Sequence, residues 1–214
     1  NKTIFNKAKI MSTYIIAQST PLPGKVNLVE TRMRTVLGVM AQKGAKETRL
    51  FRNLIGNMAG DFGMGAKFDN FHEALSTFDE VRHDPMFVEV SKQRWDNPAG
   101  QMRGPFIMRD IYGAVDISAP VHVIRTYQMS RNQLPQMTEI ITKIDNLSPE
   151  YRLAAVVPVL GSEMDMVHGI YHFESLPSAG KIIDEVGMSS EFQELVNRAN
   201  ELGTLVRAGL NIKM

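Results

Sequence analysis

The feature that most constrains the fold is an internal repeat. Residues 68–90 align without a gap with residues 173–195, at an offset of 105 positions. Seven of the 23 aligned pairs are identical, including the Asp-Glu-Val triplets at 79–81 and 184–186. Unrelated sequences would give about one or two identities, at roughly 6% per position. The chain is therefore a tandem repeat, and each half should contain the same elements in the same order.

The same succession of apolar strands and amphipathic helices recurs in both halves. Each half begins with a short strand, then a helix with one apolar stripe, then two strands that form a hairpin. The repeated window follows as a second helix, broken at His83-Asp84-Pro85 in one copy and at Gly187-Met188-Ser189 in the other. A final strand closes each half, at 106–113 and 204–212. The order is β-α-β-β-α-β twice, which is the ferredoxin-like arrangement.

These patterns predict an α+β protein in which two ferredoxin-like repeats pack sheet to sheet as an intrachain barrel. We expect an N-terminal extension at 1–11, a first repeat at 12–114 and a second repeat at 115–214. Segment 91–104 has no counterpart of equal length in the second half. It is interpreted as a tolerated insertion, with a lid or interface loop as the alternative.

Composition excludes several classes of protein. The formal net charge of +1 argues against a dedicated nucleic-acid binder. No apolar run approaches the ~18 residues of a membrane span. The absence of cysteine excludes disulfides, thiolate metal sites and a cysteine nucleophile. We expect a cytoplasmic protein without a cofactor, and leave homo-oligomerisation open.

The doubled element order resembles the dimeric α+β barrel superfamily in its tandem, single-chain form. This resemblance covers residues 12–214 and rests on two features. One is the repeated helix with its F-[DE]-[NS]…A…D-E-V…F-x-E pattern, and the other is the Asp84-Pro85-x-Phe87 turn. The resemblance implies that the protein has one of the roles found in this superfamily: cofactor-independent monooxygenase, haem-handling enzyme, small-molecule isomerase, stress-responsive barrel or a protein of unknown role. A fold alone does not choose between them.

The alternation of side chains along the strands predicts which residues line the barrel. The third strands should point Asp61 and Lys67, and in the second copy His168 and His172, into the interior. Arg109 and Arg207 should occupy matching interior positions on the last strands. Two residues of the fifth strand complete the candidate ligand-binding set, which is Asp61, Lys67, Arg109, Arg125, Tyr127, His168, His172 and Arg207.

Each candidate also has a structural explanation. His168 and His172 should lie roughly 13 Å apart at ~3.3 Å per residue, too far to chelate one metal, so no metal site is predicted. They are satisfied buried histidines, a general base or a haem ligand. Arg109 and Arg207 either bind the carboxylate or phosphate of a ligand together, or have a structural role in which they bond to the side chain of Asp61 or Asp110.

Three functions are compatible with these patterns. The first is a small-molecule-binding barrel, acting as a cofactor-independent monooxygenase or isomerase on a small, mostly apolar compound. The second is a non-catalytic structural or assembly module with a filled barrel. The third is haem binding through His168 or His172. The first requires a cavity and the second requires none.

Overall fold

A computed structural model describes residues 11–214 of the chain. Apart from Met11, the expected N-terminal extension therefore lies outside the described residues. The described part holds eight strands: β1 (Thr13–Pro21), β2 (Glu47–Ile55), β3 (Phe62–Phe68), β4 (Gly100–Tyr112), β5 (Val121–Met129), β6 (Arg152–Leu160), β7 (Met166–Phe173) and β8 (Gly203–Lys213). It holds six α-helices: α1 (Val26–Gln42), α2 (Phe71–Arg82), α3 (Pro85–Asp96), α4 (Leu134–Asp145), α5 (Leu176–Ile182) and α6 (Ser190–Leu202).

Local capping sets the starts of the helices that carry the repeat. The Asn70 side chain accepts the Glu73 N–H at 2.9 Å and begins α2. Asp84 accepts the Met86 N–H at 2.9 Å and begins α3, with Pro85 in the first turn where its missing N–H is harmless. The second copy uses serine caps instead, and a single π turn at 183–187 separates its two helices.

The strands of both repeats form one closed barrel. The first repeat has the order β4-β1-β3-β2 and the second β8-β5-β7-β6, as the ferredoxin-like arrangement requires. β2 then pairs with β8, and β4 pairs with β6, both antiparallel. The predicted fold class is confirmed, with one addition. The sheets do not merely face each other, because hydrogen bonds join their edges and leave none of the eight described strands with an unpaired edge.

The helices cover the outside of this barrel, so the protein has two outer cores and one inner core. Phe62 and Phe68 are fully buried beneath the helices of the first repeat. The second outer core lies beneath α4, α5 and α6. The inner core fills one end of the barrel and consists of Tyr14, Met108, Val115, Ile117, Ala154, Val156 and Ile170.

The interpretation of segment 91–104 as an insertion or loop is wrong. Its first part completes α3 and its last part begins β4, leaving only 97–99 between them. Gly100 pairs with Pro21 just as Gly203 pairs with Met129, so the two final strands begin at equivalent places. The sequence comparison missed this because α6 runs directly into β8, whereas α3 is followed by a short turn.

The barrel closure predicts that neither repeat is stable alone. A fragment of residues 115–214 would expose the inner face of its sheet and the unpaired edges of β6 and β8. We expect this fragment to aggregate or to remain largely unfolded by circular dichroism. A monomeric, cooperatively folding fragment in sedimentation experiments would contradict the prediction.

Candidate functional site

Two cavities of ligand size lie on opposite faces of the sheet. The outer cavity, of about 320 Å³, lies between the barrel wall and α1 and α3 of the first repeat. The inner cavity, of about 250 Å³, lies inside the barrel directly against the inner core, three of whose residues (Met108, Val156 and Ile170) also line it. Both volumes are near the lower end of the range of about 300–1,000 Å³ for small-molecule sites.

The outer cavity exists because the two repeats differ at equivalent positions. Strand pairing places Ala17 opposite Met64 and Arg125 opposite Gly169, so Ala17 and Arg125 correspond. By the same pairing Ser19 corresponds to Tyr127. In the second repeat these two large side chains fill the space beneath the helices, and only about 30 Å³ remains. The two small side chains of the first repeat leave the space open.

The helix above the outer cavity is also packed less closely than its counterpart. α6 buries Phe192, Leu195 and Ala199, whereas α3 buries only Val90. At the offset of 105, Ala199 corresponds to Arg94, a longer and polar residue that lines the outer cavity. α3 consequently covers the sheet without filling the space beneath it.

One buried cation lies in the wall of the outer cavity. Arg32 is 7% exposed and donates to the carbonyls of Asn97 at 3.0 Å and Gln93 at 3.1 Å, at the C-terminal end of α3. Its Nε is buried and has no hydrogen-bond partner among the described residues. Within the described lining of this cavity there is no carboxylate. A buried guanidinium without an anionic partner favours a ligand with an acidic oxygen.

The inner cavity combines an apolar floor with polar groups at its mouth. Ile16, Met108, Ile124, Val156 and Ile170 line its floor. His168, Arg103, Arg207 and Glu163 also line this cavity. His168 and Arg207 lie opposite Thr126 on the two strands that flank β5, so they share the inner face.

The structure places His168 and Arg207 in the interior, as predicted, but not Arg109. Arg109 is exposed on the outer face of β4, because Met108 occupies the inner face. The counterpart of Arg207 is Arg103. Gln18 pairs with Arg103 just as Thr126 pairs with Arg207. The register of β4 shifts between Ile16 and Gln18, and this bulge reverses the expected alternation.

Four other candidates lie outside the inner cavity. Arg125 and Tyr127 face the helices, with the Arg125 guanidinium 5.1 Å from the centre of the Phe192 ring. The prediction that they share the interior is wrong. Lys67 lies beyond the inner core and donates to Glu47 at 3.1 Å. Asp61 is 5% exposed and forms an ion pair with Arg103 at 2.5 Å.

His172 belongs to the closed end of the barrel, where residues 113–120 cross from β4 to β5. Its Nδ1 donates to the Arg152 carbonyl at 3.1 Å and its Nε2 accepts the Asp116 N–H at 3.2 Å. Both ring nitrogens are therefore occupied. Arg49 closes the same end by donating to the carbonyls of Ile117 and Ala119. These contacts explain His172 as a structural residue.

Sequence reasoning missed Arg32, although a signal was present. Aligning the stripes of the first helices places Arg32 opposite Ile140, which is buried in α4. A charged residue at a position that helical periodicity assigns to the core is a candidate for a site. Arg103 was missed because the bulge in β4 hides its equivalence with Arg207.

Comparison with solved structures agrees on the architecture. An anthrone oxidase-like protein superimposes with a TM-score of 0.67 at 10% identity, covering 97% of this chain and 92% of that one. A provisionally assigned monooxygenase from Lactobacillus acidophilus NCFM gives 0.59 at 10% identity, covering 95% and 94%. The chain has the dimeric α+β barrel fold. These identities establish the fold only.

A third similar structure is an uncharacterised ferredoxin-fold protein from Listeria monocytogenes, related to antibiotic biosynthesis monooxygenases. Its TM-score is 0.50 at 11% identity, covering 95% of each chain. No protein-family model and no curated protein matches the sequence. No helix within residues 11–214 is long and apolar enough to cross a membrane. No cluster of metal-ligating side chains occurs in the same range.

The buried histidines predict that the protein is less stable in acid. Burial lowers the pKa of His122 to about 3 and those of His168 and His172 to about 4. Histidines of the unfolded chain titrate near ~6.5, so the unfolded state binds more protons as the pH falls from about 6.5 to 4. Burial raises the pKa of Asp110 to about 6, which acts in the opposite direction between about pH 6 and 4.

The three histidines lower the stability as the pH falls, and Asp110 alone raises it. We therefore expect a lower free energy of unfolding in urea at pH 4.5 than at pH 7. The variant Asp110→Asn lacks the opposing contribution and should lose more stability over the same interval. Equal stability of the unmodified protein at both pH values would contradict this interpretation.

Proposed function

We propose that the protein binds a small, mostly apolar compound with an acidic oxygen in the outer cavity and acts on it without a cofactor. The observation that carries this proposal is the contrast between equivalent spaces of about 320 and 30 Å³ in the two repeats. A cavity kept open by Ala17 and Ser19 where the copy has Arg125 and Tyr127 supports a binding role.

The chemistry of the outer cavity favours a carbon acid as substrate. Oxygenation without a cofactor and isomerisation both begin with loss of a proton from the substrate. Arg32 would stabilise the resulting enolate or phenolate, because a buried cation held in a fixed position lowers the free energy of a developing anion. No histidine or carboxylate belongs to the described lining, so the substrate must be acidic enough to lose its proton to water.

The names of similar structures suggest a test substrate. Anthrone is a mostly apolar ketone that forms a stabilised enolate, and one anthrone and one dioxygen give one anthraquinone and one water. We expect the protein to accelerate oxygen uptake with anthrone. Failure of anthrone and of smaller enolisable aromatic ketones, despite ligand binding, would leave a binding protein and reject the enzymatic part of the proposal.

The other two functions have less support. A non-catalytic module with a filled barrel is not compatible with the open inner cavity of about 250 Å³. Haem binding through His172 does not fit, because both its ring nitrogens are bonded. Haem binding through His168 would have to fit a macrocycle into about 250 Å³, below the usual range for drug-sized ligands. The cytoplasmic location stays a prediction, and homo-oligomerisation stays open.

Trp95 offers a direct readout of the outer cavity. It is the single tryptophan of the chain, lines this cavity and is 86% exposed. Octanoate and octan-1-ol serve as probes that share an apolar body and differ in charge. We expect both to shift Trp95 emission to shorter wavelength in a saturable way, with octanoate binding more tightly because it reaches Arg32.

Two variants separate the charge of the site from its volume. Arg32→Ile should weaken octanoate binding about tenfold and leave octan-1-ol unchanged, given ~1.5–3 kcal/mol for a charged hydrogen bond. Ser19→Tyr should abolish the response to both probes by filling the cavity. Arg34→Ile on the exposed side of α1 and Ser76→Tyr on the exposed side of α2 are matched controls. Unchanged binding in Ser19→Tyr would refute the location of the site.

A further inference from the structure

The two repeats also contribute differently to the inner cavity. Here the first repeat fills the space and the second leaves it open, which is the reverse of the outer cavity. Strand pairing makes Gly63 the counterpart of His168 and Phe51 the counterpart of Val156. The Phe51 ring covers Gly63 so closely that a Cβ there would lie 2.1 Å from its Cζ. On the first repeat's side, the aromatic ring therefore occupies the place that His168 takes in the second repeat.

The two interior arginines differ in the same way. Arg103 is neutralised by Asp61, whose counterpart at the offset of 105 is Met166. Arg207 has no carboxylate partner among the described residues, and its recorded contact is with the Met58 sulfur at 3.5 Å. The second repeat therefore contributes an unneutralised cation to the barrel interior.

His168 is placed to donate a hydrogen bond beside this cation. Its Nδ1 lies 3.0 Å from the Thr126 hydroxyl, and its Nε2 has no partner among the described residues. Burial and then the charge of Arg207 lower the pKa of His168 to about 4, so the ring is neutral at pH 7. With the Thr126 hydroxyl donating to Nδ1, the ring proton is carried by Nε2.

We propose that the barrel interior is a second, independent binding site that takes a small monocarboxylate with a compact apolar body. The carboxylate binds the Arg207 guanidinium and accepts the Nε2–H of His168, and the apolar body packs on Ile16, Ile124 and Ile170. Arg103 of the lining is already paired with Asp61, and Glu163 is exposed to solvent, whereas Arg207 is partly buried and lacks a carboxylate partner among the described residues, so an anion is favoured beside Arg207. The volume of about 250 Å³ limits the ligand to roughly one aromatic ring.

Benzoate is the test ligand, and benzyl alcohol is its uncharged control. The readout is the Cε1–Hε1 NMR signal of His168 at pH 7, which is assigned among the five histidines by its loss in His168→Gln. We expect benzoate to shift this signal in a saturable way, at concentrations where benzyl alcohol has about a tenfold weaker effect.

Arg207→Met should weaken benzoate binding about tenfold or more, because a charged hydrogen bond contributes ~1.5–3 kcal/mol. This change leaves no buried carboxylate unpaired, so the fold should persist. Arg207→Lys keeps the charge but not the planar pair of donors, and should recover part of the affinity. Arg109→Met on the outer face of the same barrel is the matched control and should bind benzoate normally.

Three results would overturn this inference: a His168 signal that does not move with benzoate, an Arg207→Met variant that binds as tightly as the unmodified protein, or loss of the His168 shift in Ser19→Tyr. The last result would mean that benzoate acts from the outer cavity. Because Trp95 reports the outer site and His168 the inner one, either proposal can fail without the other.

Discussion

The rest of the structure depends on two hydrogen-bonded seams, β2 with β8 and β4 with β6. Each repeat alone has a sheet with one bare face and two open edges. The seams pair all four edges and turn the two bare faces inward. They also fix where the linker 113–120 runs, across one end of the barrel, where Arg49 and His172 bind its backbone. That end is filled, and the space that remains lies at the other end.

Duplication within one chain allows the two copies to diverge, which identical subunits cannot do. The fold offers two kinds of space twice, beneath the helices and inside the sheet. The first repeat keeps the outer space open with Ala17 and Ser19 and fills the inner one with the Phe51 ring. The second repeat fills the outer space with Arg125 and Tyr127 and leaves His168 and Arg207 accessible inside. One barrel thus carries two different cavities on its opposite faces.

The sequence predicted the repeat, the order of elements and the barrel, because apolar periodicity and capping residues act locally. It located His168 inside because β7 pairs with β5 without a register shift. It located Arg207 inside because the shift in β8 lies between Leu205 and Arg207 and does not affect the strand from Arg207 onward. It misplaced Arg109 because the register shift in β4 depends on pairing with β1, which no local pattern records. It left the role of His172 open between a structural and a ligand-binding residue, because the partners of this residue, Asp116 and Arg152, come from a linker and a neighbouring strand. The two cavities could not be predicted from the sequence, because the volume of a cavity depends on side chains from several elements at once.

The functional interpretation depends on equivalent outer spaces that are open in the first repeat and filled in the second. Diffraction from crystals of the protein under xenon pressure tests it directly, because xenon occupies dry apolar cavities. We expect an anomalous peak between α1, α3 and the outer face of β1, and none between α4, α6 and β5. Peaks of equal height in both places, or a peak beneath α4 and α6 alone, would contradict it.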